Sequence, residues 1–345
     1  MAYTAIDLPT DYFNTKLWTG DGNTTQAISG VGHQPDFVWI KNRNLSSGPN
    51  LFFDSVRGTN KALVSNNDNA EASVSGYLNS FDSDGFTVGN DGAVNGSGDT
   101  YCSWNWLAGG SASSNSDGSI TSSVSANTTA GFSIVTYTGS GSNPATIGHG
   151  LGAVPQVMIL KKRTGSSALE WKVYHEGMGN AKYLILDKSN AQASDTTIWN
   201  STTPSSSVFT VGSSDTNNTD NYVVYCFAEK KGFSRFGSYV GNGSSDGSYI
   251  HLGFKAAYIM IKGTGSGTNW FIQDNKRNPH NIVDKYFNAD SNAADQSADM
   301  FDITANGIKQ RNTFANLNGS GSTYIYLAFA EAPFVSSGGI PTTAR

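Results

Sequence analysis

Cysteine is nearly missing: Cys102 and Cys226 are the only two in 345 residues. They fall in corresponding segments of two different repeats, with no C-x-x-C neighbour and no histidine at ligand spacing. Neither an intradomain disulfide nor a zinc site is expected, and both cysteines read as small buried hydrophobes. Charge is scarce too, at 14% of residues, and 22 Lys and Arg against 27 Asp and Glu leave a net charge of −5. Without a dense basic cluster, a nucleic-acid groove ranks low. No run approaches the ~18 apolar residues of a membrane span. The first ten residues lack the charged and apolar regions of a secretion signal. Leu, Glu, Lys and Arg are sparse, which argues against a helix-rich enzyme. Phosphate loops, zinc-binding histidine pairs and serine-hydrolase elbows are absent as motifs.

What is present is glycine (39 residues), a 12% share of aromatics, and abundant Ser, Thr and Asn. That mixture suits short strands joined by tight polar turns. One phrase organises it: Gly30-Val31-Gly32-His33-Gln34-Pro35-Asp36-Phe37-Val38-Trp39-Ile40-Lys41. It returns as Gly150 to Lys161 and again as His251 to Lys262. By the two-residue period of a strand, Phe37 and Trp39 share one face and Val38 and Ile40 the other. The later copies are also apolar on both faces, so each of these strands is expected between two layers. Lys41, Lys161 and Lys262 close them and read as strand-end lysines whose amines snorkel to water.

Two further echoes define a module. Trp18-Thr19-Gly20-Asp21-Gly22, Tyr137 to Gly141 and Tyr239 to Gly243 each read as a strand entering a turn that needs positive φ. The closing strand begins at Tyr101, Tyr222 and Tyr324, and one face of it is apolar in every copy: Cys102/Val223/Ile325, Trp104/Tyr225/Leu327 and Trp106/Phe227/Phe329. From opening aromatic to closing tyrosine the copies span 83, 85 and 85 residues, the mark of one supersecondary plan used three times. The expected fold is therefore all-β, with three tandem β-sandwich or jelly-roll-like modules. The expected division is an N-terminal arm at 1–12, modules at 13–109, 131–231 and 232–332, a flexible Gly/Ser-rich linker at 110–130, and a C-terminal tail at 333–345 that stays loose or docks on a neighbour. Only Glu229-Lys230-Lys231-Gly232 separates the last two modules, which should be fixed against each other.

No group of residues selects itself as catalytic. Asp54, Asp82, Asp84, Glu170, Glu176 and Asp187 could serve glycan cleavage, but nothing chooses a pair facing one bond; Asp82-Ser83-Asp84-Gly85 reads first as a turn. His175-Glu176, beside Trp171 and Tyr174, reads as a surface strand of alternating polarity. No catalytic residue, metal site or cofactor is expected. The better binding candidates are aromatics in weakly patterned segments, Trp171, Trp199, Trp270 and Tyr249, whose rings would stack on sugars at little entropic cost.

Several phrases resemble a known group. Phe37-Val38-Trp39-Ile40-Lys41-Asn42-Arg43, Phe53-Asp54-Ser55-Val56-Arg57-Gly58, Ser80-Phe81-Asp82-Ser83-Asp84-Gly85-Phe86 and Tyr324 to Phe334 resemble the tandem-repeat virion structural proteins of tailed bacteriophages of marine bacteria and cyanobacteria, often described as tail-fibre-like. The resemblance runs from about Tyr12 to the C-terminus and brings no catalytic residues with it. It implies a non-enzymatic virion protein assembled in the host cytoplasm, a tail fibre or adhesin contacting the host surface. Capsid decoration or a head fibre is the alternative, and a carbohydrate-binding module a further one. The expected partners are other virion proteins, copies of the chain itself with a trimer leading, and host-surface glycans, with no nucleic acid and no membrane insertion. The third module departs from the pattern, with Phe271-Ile272-Gln273-Asp274 placed against Phe52-Phe53-Asp54-Ser55.

Overall fold

The computed structural model describes residues 3–166, 169–212, 214–265 and 267–343. Among them nearly all regular structure is β, and α-helix is confined to single turns at Gly92–Asn95, Ser214–Asn217 and Ala315–Asn318, just before each closing strand. The β-branched and aromatic phrases become strands because their alternating side chains fill two apolar layers.

Each module follows one plan. The opening strand (Phe13–Thr19, Phe132–Thr138, Ser234–Val240) pairs antiparallel with the closing strand (Thr100–Trp106, Asn221–Phe227, Thr323–Pro333). The closing strand pairs in turn with the organising strand (Phe37–Asn42, Val157–Lys162, Phe254–Gly263), and beyond it lies a fourth strand (Asn50–Asp54, Lys172–His175, Trp270–Asp274). The opening aromatics and closing tyrosines are cross-strand partners and stack, with centroids 5.2 Å apart for Trp18–Tyr101, 4.9 Å for Tyr137–Tyr222 and 5.0 Å for Tyr239–Tyr324. In the opening turns Gly22, Gly141 and Gly243 take φ near +70°, as their spacing predicts.

A second layer covers one face of each main sheet. In the first module it is the three strands Gln26–Ser29, Leu78–Asp82 and Gly85–Val88, and in the second Ala145–Gly148 with Val208–Val211. In the third, Tyr249–His251 and Gly307–Gln310 join the main sheet through Gln296–Thr304, so a single eight-stranded sheet curls over itself. Each sandwich has its own core: Val38, Ile40, Phe53 and Phe86 in the first, Met158, Leu160, Trp199 and Phe209 in the second, and Ile259, Ile261, Phe271 and Phe301 in the third.

A fourth core explains why the organising strands are apolar on both faces. Phe37, Trp39, Trp104, Trp106, Val157, Ile159, Tyr225, Phe227, Tyr258, Met260, Leu327 and Phe329 belong to one buried cluster shared by all three modules. The equivalent residues Trp106, Phe227 and Phe329 meet in a triangle, with ring centroids 6.4, 5.6 and 5.9 Å apart. The modules are therefore arranged around an internal pseudo-threefold axis.

One expectation changes. Residues 110–130 are not a free linker: Ser113–Asn115 and Ser122–Asn127 extend the second module's main sheet beyond its opening strand. Backbone pairing to an otherwise open strand edge overrides a Ser/Gly composition. The arm is docked, its first two residues lying outside the described set. Tyr3 Oη donates to Gly253 O at 2.7 Å, and Ile6 joins the central core. The tail returns to it, with Ser337 N donating to Asp7 Oδ1 at 2.6 Å and Phe334 edge-on to Tyr3; its last two residues lie outside the described set. Both cysteines are free and buried, Cys102 in the central core and Cys226 in the second module's core.

Candidate functional site

The residues singled out for sugar stacking are mostly interior. Trp171 and Trp199 are fully buried, Trp270 is 1% exposed, and Tyr249 alone is open, at 46%. A ring with no exposed face cannot stack on an external sugar. Trp171 and Trp270 instead tie modules together. Trp171 Nε1 donates to Val64 O and Trp270 Nε1 donates to Ile185 O, both at 2.9 Å. At the equivalent place in the first module Asn50 Nδ2 reaches Ser291 O at 2.8 Å and Asn288 O at 3.4 Å. Because Val64, Ile185 and Asn288 are themselves equivalent, these bonds run head-to-tail round a closed ring.

The same ring is drawn in the backbone. Glu71 N donates to Arg163 O, Gln192 N to Thr264 O and Asp295 N to Arg43 O, each at 2.9 Å. Three equivalent donors meet three equivalent acceptors, one at each module interface.

Among the described residues, two of the three interfaces also contain buried ion clusters. Between the first and second modules, Arg57 Nε lies 2.5 Å from Asp54 Oδ2 with both side chains fully buried. Tyr225 Oη donates to Asp54 at 2.8 Å, and Glu71 takes Arg57 at 3.0 Å and Arg163 at 2.8 Å. Burial disfavours the charge on Arg57, but Asp54, Tyr225 and Glu71 outweigh it and raise its pKa further. Between the third and first modules the set repeats. Arg277 Nε meets Asp274 at 2.6 Å, Trp104 Nε1 donates to Asp274 at 3.2 Å, and Asp295 bridges Arg277 at 2.8 Å and Arg43 at 3.0 Å. Asp274 thus occupies Asp54's place, one residue from the alignment expected above. The third module keeps the acid with its arginine three residues on, and the second module is the one that departs.

There the positions are His175, Met178, Gln192 and Thr264. The strand Lys172–His175 is buried throughout, not a surface strand: Tyr174 packs into its own module's core, while Val173 enters the shared core and His175 meets the third module. His175 Nδ1 accepts from Gly177 N at 3.0 Å, and Nε2 lies 3.2 Å from Tyr326 O. Burial pushes its pKa down to about 4.

The strand-end lysines do not snorkel: Lys41, Lys161 and Lys262 are fully buried. Lys41 Nζ donates to Gly48 O at 2.5 Å. Lys161 reaches Asp68 O across the first interface at 3.2 Å, and Lys262 reaches Asn190 O across the next at 3.0 Å. Burial lowers Lys41 to about 7 and the other two to about 8. Carbonyl oxygens, from its own loop for Lys41 and from the neighbouring module for Lys161 and Lys262, replace the solvent that snorkelling would have supplied.

The remaining acids considered for glycan cleavage hold loops or lysines, apart from the exposed Glu176. Asp84 accepts from Gly30 N and Gly32 N, Asp82 from Ser80 and Thr87, Asp187 from Trp171 N, and Glu170 pairs with Lys172.

One recurrent device escaped the sequence reading. Asn95, Asn217 and Asn318 are buried beneath the three opening turns and accept from Asp21 N, Ser140 N and Asn242 N at 2.9, 3.0 and 3.0 Å. An asparagine five or six residues before each closing tyrosine was the available signal.

Fold and interfaces together define a class: a three-module β-sandwich protein whose modules close into a pseudo-trimer within one chain. Residues 8–333 match the family described as a domain of unknown function, DUF7483, and the chain belongs to that family. No curated protein matches the chain.

Proposed function

We propose that the chain is a non-enzymatic structural protein of a tailed-phage particle, assembled in the host cytoplasm and acting as a tail-fibre or adhesin domain at the host surface. The observation that carries this reading is the closed ring of interfaces. Three sandwiches share one aromatic core and are tied head-to-tail, so the body keeps its shape outside a cell with both cysteines free. The phrases shared with tandem-repeat virion proteins supply the particle.

Capsid decoration is the second reading, and one observation favours it. The N-terminal segment from Tyr3 folds back on the third module and the tail instead of extending toward another component.

Imaging purified particles with a label on the C-terminal tail tests the pair. Density at the tail tip supports the adhesin, density on the shell replaces it with decoration, and absence from the particle overturns both. Release of reducing ends from host polysaccharide by the purified chain would overturn the non-enzymatic part. The homo-oligomer belongs to the same proposal, and light scattering tests it: a trimer gives three times the 36.5 kDa chain mass, while a single-chain mass assigns the threefold arrangement to the modules alone.

A further inference from the structure

With Trp171, Trp199 and Trp270 inside, a glycan contact has to be built from other groups, and one concavity gathers them. A cavity of about 400 Å3 opens where the N-terminal segment, the joint between the second and third modules and the third module's opening strand meet. Tyr3, Lys231, Arg235, His251 and Leu252 line it, together with Glu229. Its walls are held in place: Tyr3 Oη donates to Gly253 O at 2.7 Å, Thr4 Oγ1 to Lys231 O at 3.0 Å, and Leu252 N to Asn306 O at 2.9 Å. A preformed wall spares the ligand the cost of ordering it.

The charges there are unbalanced. Arg235 Nη1 donates to Glu229 Oε1 at 3.0 Å, yet its side chain stays 48% exposed. Lys231 lies over the Tyr3 ring at 4.6 Å, and no carboxylate pairs with it among the described residues. His251 is exposed beside them. Two cations against one acid make a local positive site on a chain of net charge −5. The volume falls in the range of roughly 300–1,000 Å3 found for small-molecule pockets, far more than a bare inorganic anion fills. Carbon from Leu252 and the adjoining glycines shares the lining with the charged groups, which matches a ring bearing one acidic substituent. Tyr249 and His251 both point outward from one strand, about 7 Å apart along it, so a neighbouring ring would meet the exposed tyrosine.

We infer that this cavity binds the carboxylate-bearing sugar unit of an acidic glycan, with Lys231 and Arg235 on the carboxylate, His251 at the ring and Tyr249 under the next unit. The assignment rests on the host-contact reading only for where such a glycan is encountered. Calorimetric titration of the full chain compares hexuronic-acid oligosaccharides, a single hexuronic acid, the same oligosaccharides with carboxyl groups reduced to alcohols, and inorganic phosphate. The intact oligosaccharides bind and the reduced ones do not. Lys231→Gln with Arg235→Gln weakens binding ~10-fold or more, as expected for charge-assisted hydrogen bonds, with the melting temperature unchanged. Tyr249→Ala weakens oligosaccharides but not the single uronate. Equal binding of the reduced form, undiminished binding by the double variant, or displacement by phosphate at equal concentration would overturn the site. A chain imaged on the shell that still binds uronates would lose its tail placement and keep its cavity, and a tail-tip chain that binds none would do the reverse.

Discussion

The interface between the second and third modules and the one between the first and second are built on the same frame from different chemistry. Both have a tryptophan indole donating to a strand-edge carbonyl and the same 2.9 Å backbone bond. One fills the space between with Asp54, Arg57, Glu71 and Arg163, and the other with His175, Met178, Gln192 and Thr264. Backbone geometry and the central aromatics are therefore enough to place a module. The ion clusters are a local solution to filling buried space, consistent with buried pairs that contribute little net stability yet are costly to break.

The largest effect should come from what all interfaces share. Trp106→Ala removes a ring touching both other modules and should cost about 4 kcal/mol in denaturant unfolding. Trp106→Phe, which copies the other two modules, should cost under about 1.5 kcal/mol. If both cost the same, the triangle of rings is not the common element. Next comes the contrast itself. Asp54→Ala leaves the buried Arg57 guanidinium with Glu71 as its remaining carboxylate and should cost roughly 3 kcal/mol, whereas His175→Ala should cost about 1–2 kcal/mol. Equal losses would mean that charge plays no special part in the first interface.

Transplanting the neutral chemistry sharpens the point. Asp54→His, Arg57→Met, Glu71→Gln, Arg163→Thr and Tyr225→Leu together should leave stability within about 2 kcal/mol of the parent chain, less than Asp54→Ala alone. A larger loss would show that the clusters set the geometry. The smallest effect is with acid. His175 has a folded pKa near 4, below its ordinary value, so the unfolded chain binds a proton that the folded chain excludes. Its contribution, full above pH 6.5, is lost as pH falls through 4. Burial opposes the charge of Glu71, but Arg163 and Arg57 hold its pKa below the ordinary 4.5, so its contribution persists until the pH drops beneath that. Between pH 6.5 and 4.5 the amide of Gln192 should lose hydrogen-exchange protection while that of Glu71 keeps it. Asp290, raised to about 6 by burial, titrates in the opposite sense, so the reading is taken as the difference from His175→Gln. No difference would separate His175 from the interface.

Much of each module was legible because strand alternation and turn glycines are local. The recurrence of Trp18 and Tyr101 in three copies was legible from spacing, but that the two pair across strands was not. The shared core was half visible: Phe37 and Trp39 on one face and Val38 and Ile40 on the other demanded two layers, but nothing local said that the second layer was another module. The same gap misplaced Lys41, Lys161 and Lys262, whose burial depends on a neighbouring module or on the fold of their own loop. It also put Trp171 and Trp270 at a surface that the ring closes. Ser113–Asn115 was hidden for a different reason, since its composition permits either a coil or an edge strand, and an open strand edge nearby decides.

Asp7 and Ser337, more than three hundred residues apart in sequence, share a hydrogen bond, and the ring has no privileged first module. A gene rewritten to begin at Gly232, with the old ends spliced through a short peptide, would encode the same body with its modules in rotated order. Circular permutation should therefore be tolerated at the joint between the second and third modules, and other protein domains could be displayed from the old ends.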